Sequence, residues 1–171
     1  TRNKELLKYA QTDALTGLYN KETTEQLTDE LLSEDENKSH AFLILDVDCF
    51  KQINDIYGHA VGDIVLQKFG KLLKGTFREG DILGRIGGDE FGVIMKNIQT
   101  KDIAMKKAGE LLAKTQAYRI DELKGNNISI SIGISTAPQD GDCYMDLYKR
   151  ADQALYQAKR SGKARVCNYF S

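Results

Sequence analysis

Long apolar runs, an excess of one charge and paired cysteines are all missing from this sequence. No apolar stretch approaches the roughly 20 residues that a membrane-spanning helix needs, and no signal peptide opens the chain. Lys plus Arg number 24 against 25 for Asp plus Glu. That balance argues against bulk nucleic-acid binding, which needs a basic face. The cysteines, Cys49, Cys143 and Cys167, are odd in number and irregular in spacing. They suggest neither a disulfide framework nor a metal-type pair, and they fit a reducing compartment. Tryptophan is absent, Pro138 is the single proline, and there is no internal repeat or low-complexity tract. What is left is a chain of 171 residues with ordinary apolar content, enough for one domain with one full core. The expected location is the cytoplasm, either for a free protein or for the cytoplasmic part of a membrane-bound sensor.

Residues 2–11 read as a helix with Leu6, Leu7 and Ala10 on its apolar stripe. The chain begins abruptly inside this segment. Residues 1–12 are therefore expected to be the end of a signalling helix from an upstream sensory or regulatory domain, followed by one domain over 13–171. Asn20 can cap a second helix near 21–33. The run Ala41-Phe42-Leu43-Ile44-Leu45 reads as a central strand covered on both faces. Phe50 to Tyr57 suggests a short helix, 58–62 a turn, and Asp63 to Phe77 an amphipathic helix. Asp81 to Ile86 and Phe91 to Met95 read as strands of a hairpin. A helix is expected over 101–117, a strand with one polar face over Ile128 to Ile134, a helix over 142–161 and a short strand over 164–170. This order predicts an α+β fold: a mixed central sheet flanked by helices, with a ferredoxin-like, palm-like βαββαβ core.

A conflict marks where chemistry belongs. Asp46 and Asp48 end the most apolar strand, and residues two apart on a strand share a face. The hairpin tip adds Asp89 and Glu90, and a hairpin beside the central strand would bring Asp89 near Asp46. Two like charges about 4 Å apart repel by on the order of 4 kcal/mol at an effective dielectric near 20. A cation relieves that repulsion, and oxygen-only ligands favour a hard ion such as Mg2+. Gly87 and Gly88 would let the turn adopt positive φ and approach a ligand closely. Cys49, Phe50 and Lys51 open a helix, whose first amides suit phosphate.

The motifs resemble those of the GGDEF diguanylate cyclases. Gly87-Gly88-Asp89-Glu90-Phe91 is the motif that names that family. Residues 13–20, 46–55, 58–63, 131–135 and 151–159 are similar to its other hallmarks, in order and with compatible spacing from about 10 to 168. The resemblance implies Mg2+ (or Mn2+) held by Asp46, the Val47 carbonyl, Asp89 and Glu90. It implies guanine readout by Asn54 and Asp63, and phosphate contacts from Lys51, Lys159 and Lys163 beside Cys49 and Phe50. The family more often has Arg at position 163, so a bidentate fork would be lost. Guanine offers two donors on one edge that a carboxylate can accept, in keeping with Asp63.

The implied reaction joins two GTP into cyclic di-GMP: a 3'-hydroxyl attacks an α-phosphorus and pyrophosphate leaves, with two protomers facing each other in a transient homodimer. The group that takes the proton is left open. Arg78 and Asp81 form an RxxD separated from Gly87 by five residues, similar to the family's product-inhibition site. A second arginine on the 101–117 helix is lacking. Two rivals are a non-catalytic receptor, expected to carry a damaged 87–91 run, and a cyclase for adenine-containing products, expected to lack Asp63.

Overall fold

The strand His40–Val47 (β1) lies at the centre of a five-stranded mixed sheet and is buried along its whole length. The structure, a computed structural model, describes residues 1–170; the final residue of the expected 13–171 domain lies outside them. In chain order the elements are α1 (Arg2–Gln11), α2 (Lys21–Glu34), β1, α3 (Phe50–Tyr57) and α4 (His59–Thr76), then β2 (Ile82–Arg85), β3 (Glu90–Met95) and α5 (Lys101–Ala117), and finally β4 (Ile130–Ala137), α6 (Tyr144–Arg160) and β5 (Val166–Asn168). The strands are ordered β2-β3-β1-β4-β5. All pairings are antiparallel except β4 with β5. The fold is the expected α+β class.

Alternation along β1 divides the core into two layers. Ala41, Leu43, Leu45 and Val47 pack with Val65, Phe69, Leu73 and Leu111 of α4 and α5. Phe42 and Ile44 pack on the other side with Leu31 and Leu32 of α2 and Tyr144, Leu147, Ala151 and Leu155 of α6. Both faces of β1 are thus covered, which is why its sequence is continuously apolar rather than alternating. By the same alternation Asp46 falls on the α6 face.

Three local expectations are corrected. The segment 58–62 is not a turn: the chain reverses at Gly58, with φ of 90°, and α4 starts at His59. Gly62 lies inside that helix, where a Cβ would come within 1.9 Å of the Asn54 side-chain oxygen, so glycine is needed there for close approach rather than for turning. β4 has no solvated polar face, because Ser131 and Ser135 are buried and donate to Asp48 and to the Leu147 carbonyl. Gly87 and Gly88 do not take positive φ. The turn needs only the missing side chain, since a Cβ at Gly87 would press on Glu90 Cβ at 3.2 Å.

Helix α2 is capped as expected by Asn20, whose side chain accepts from Thr23 N–H at 2.9 Å. Helix α1 buries nothing, and Leu6, Leu7 and Tyr9 are exposed. No helix among the described residues is long and apolar enough to cross a membrane.

Candidate active site

Carboxylates gather where β1 meets the β2–β3 hairpin. Cross-strand register sets Asp46 opposite Glu90, and directly opposed residues share a face, so both side chains turn toward α6. Asp89 follows at the hairpin tip. Its carbonyl accepts from the Val47 N–H at 3.3 Å, and its carboxylate lies beside that of Asp46. From α6, Lys159 pairs with Asp46 Oδ2 and the Tyr148 hydroxyl donates to Glu90 Oε1 at 2.8 Å. Asp46 Oδ1 is buried with no partner.

The electrostatics follow from that crowding. Burial and the adjacent Asp89 carboxyl outweigh Lys159 and raise Asp46 to about 7. Glu90 is raised too, first by burial and then by Asp152 and Asp89, against the opposing hydrogen bond from Tyr148. Burial works against the charged form of Lys159, but Asp46 prevails and holds its ammonium above the usual lysine value. Among the described residues Lys159 is the only cation in an ion pair with this cluster. A half-buried set of oxygen donors with excess negative charge and an orphaned carboxylate oxygen fits a hard divalent cation.

Asp48 does not join this cluster. β1 ends at Val47, so the shared-face argument stops one residue short. Asp48 instead accepts from Ser129 Oγ at 2.7 Å, Ser131 Oγ at 2.6 Å and the Ala164 N–H at 3.1 Å. It ties β1, β4 and the loop after α6 together.

Of the remaining sequence candidates, those of α3, α4 and the loop after α6 lie beyond the end of β1, whereas Arg78 and Asp81 lie at the end of the β2–β3 hairpin opposite its tip and are not brought to the cluster. Cys49 takes a left-handed backbone at φ 56° and turns the chain from β1 into α3, placing Phe50 and Lys51 in its first turn with Lys51 exposed. Lys163, also left-handed at φ 62°, brings its Nζ to 3.2 Å from Cys49 Sγ. Asn54 leans on Gly62, the residue before the exposed Asp63, so α3 and α4 bring those two candidates to one junction. Arg78 and Asp81 pair with each other at 3.2 Å, and the buried Asp81 also accepts from Lys96 N–H at 3.1 Å.

Two residues at the site were missed by sequence reasoning. Arg85 donates twice to the Gly88 carbonyl, at 2.7 and 3.0 Å, and pairs with Asp13 at 3.2 Å. Asp13 is itself fixed by Thr16 N–H and Oγ1. The opening motif at 13–20 is therefore a brace behind the hairpin, and its conjunction with a basic residue two before Gly87 was the available signal. Tyr148 falls inside the helix expected over 142–161, and nothing local distinguishes it.

With this geometry in view, comparison with known proteins gives a consistent answer. Residues 10–165 match the family described as "Diguanylate cyclase, GGDEF domain", and the chain belongs to that family. It is 36% identical over 170 residues to diguanylate cyclase A of Treponema denticola, covering 96% of this chain and 46% of that protein. The GGDEF domain of TpbB (YfiN) from Pseudomonas aeruginosa superposes with a TM-score of 0.87 at 33% identity, covering 93% of this chain and 94% of that one. The coiled coil and GGDEF domain of DgcB from Caulobacter crescentus, solved with c-di-GMP, gives a TM-score of 0.89 at 25% identity, covering 98% and 90%. The chain spans less than half the length of the curated relatives first matched.

Proposed function

We propose that this chain is the catalytic unit that condenses two GTP into cyclic di-GMP with release of two pyrophosphates, and that it acts as a homodimer in the cytoplasm. The observation that carries this reading is the convergence of Asp46, Asp89 and Glu90, with the Asp46 Oδ1 buried and unpartnered. Asp46, the Val47 carbonyl, Asp89 and Glu90 would hold Mg2+ or Mn2+. Such an ion, when bound, neutralises phosphate charge and makes the attacking hydroxyl more acidic.

The protein's own groups do the rest. Asp63 accepts from the guanine N1–H and amino group while Asn54 meets the base edge, which selects guanine because adenine carries an acceptor at N1. Lys51 and Lys163 supply positive charge to the phosphates at the start of α3. Lys159, paired with Asp46 in this structure, would be free to join them if a metal were held by that carboxylate. The 3'-hydroxyl of each GTP in turn loses its proton, bonds to the α-phosphorus of the other and displaces pyrophosphate, so that two bonds form and two break. One protomer binds one GTP, so two hairpins must face each other. An upstream regulatory domain joined through α1 would set that encounter.

Arg78 and Asp81 would form a product site if their mutual pair opened to take a guanine edge or phosphate. Arg78→Ala is then expected to weaken cyclic di-GMP binding by calorimetry, and unchanged affinity would remove the site. The function itself is tested by incubating the purified protein with GTP and Mg2+ and detecting product by mass. Cyclic di-GMP is expected from GTP and no dinucleotide from ATP. No product from GTP would overturn the reading in favour of a non-catalytic receptor.

A further inference from the structure

Of the three clustered carboxylates, Glu90 has the longest side chain and the most freedom to lose. Asp46 is fixed by β1 and by Lys159, and Asp89 by the closed hairpin tip. A glutamate has one more rotatable bond than an aspartate and loses more rotamer freedom on being held in one geometry, unless something already restrains it. We propose that Tyr148 is a positioning residue: its hydroxyl commits Glu90 Oε1 and leaves Oε2 turned to the divalent cation. This rests on the cation reading given above.

The restraint is built from the core outward. Phe42 is fully buried in β1, four residues from Asp46 and on the same face. Its ring meets the Tyr144 ring edge-on at 5.4 Å. Tyr144 stacks on Tyr148 at 5.9 Å with 28° between the planes. Tyr148 then reaches Glu90 at 2.8 Å. One ring stack thus refers the position of Glu90 to the strand that carries Asp46. Tyr148 and Lys159 are separated by about three helical turns, so α6 presents both on one face. The two contacts differ in kind. Lys159 offers a charge that a metal would replace, whereas the Tyr148 hydroxyl is neutral, so it orients Glu90 without cancelling the negative charge a metal needs.

A tyrosine that merely satisfies its hydroxyl on the nearest acceptor would affect folding alone. Tyr148→Phe keeps the ring stack and removes only the donor, so it separates the two roles. Mn2+ binding is measured by loss of the free-ion electron paramagnetic resonance signal, in the presence of a non-hydrolysable GTP analogue, alongside the metal-free thermal midpoint. Tyr148→Phe is expected to weaken Mn2+ binding by about 3- to 10-fold, within the range for the net worth of one ordinary hydrogen bond, with little change in midpoint. In a Glu90→Gln background the same substitution is expected to change nothing further, since the residue acts through Glu90. Wild-type affinity in Tyr148→Phe, or an equal loss in both backgrounds, would overturn the proposal. Absence of Mn2+ binding by the unmodified protein would instead overturn the cation reading on which it rests.

Discussion

Asp46 and Asp48 stand two residues apart, each with 7% of its surface exposed, and the fold treats them oppositely. Asp48 meets three donors, from Ser129, Ser131 and the Ala164 backbone. Asp46 meets one lysine, an adjacent carboxyl and an orphaned oxygen. Burial alone therefore does not mark a site. A buried acid with its donors in place holds the structure together, and a buried acid short of donors waits for a ligand. The same contrast separates the two basic residues of the hairpin region: Arg85 braces the turn through Gly88 and Asp13, while Lys159 occupies a position that a metal would claim.

The contrast breaks or sharpens under substitution. The largest effect belongs to Asp89→Ala, which removes one wall of the cluster. Cyclic di-GMP synthesis should fall by about 1000-fold, the scale for loss of a group that stabilises transition-state charge, with circular dichroism unchanged. Activity within tenfold of wild type would exclude Asp89 as essential.

Asp48→Ala comes next and acts on folding. It strips the acceptor from two hydroxyls and one backbone amide, and should cost about 3 kcal/mol in urea unfolding. A loss below about 1 kcal/mol would erase the distinction between the two acids.

Asp46→Asn should act with the opposite sign in the absence of metal. The carboxyl is raised from 3.8 to about 7 in the folded state. Above pH 7 the folded protein carries the full penalty of that ionised group, and below the unfolded value it carries none. The substitution should thus stabilise by on the order of 2 kcal/mol at pH 8, with the gain fading as pH falls through 7 toward 4. A gain that grew on acidification would contradict the assignment. Arg85→Ala is the smallest case. Losing the brace on the Gly88 carbonyl should lower turnover by about tenfold, and Asp13→Asn should give part of the same loss. Unchanged turnover in both would leave the brace without a functional role.

The cluster was legible because carboxylates at the end of an apolar strand, and again beside two glycines, are costly without a counter-charge. The layers were legible from the continuously apolar run in β1 and the amphipathic pattern of α4. What could not be read depended on register. Whether Asp48 shares a face with Asp46 turns on the ladder ending at Val47, and its donors arrive from Ser129 and Ser131, far along the chain. Lys159 and Tyr148 acquire their partners only when α6 is laid across β1 and β3. The start of α4 was hidden because Gly58 and Gly62 look alike in sequence, yet one reverses the chain and the other makes room for Asn54 inside a helix.

The most direct test of the whole account is anomalous diffraction from crystals grown with Mn2+ and a non-hydrolysable GTP analogue. A manganese peak is expected between the carboxylates of Asp46 and Asp89, with Lys159 withdrawn from Asp46. A peak elsewhere, or none while the nucleotide is bound and Lys159 still holds Asp46, would contradict it.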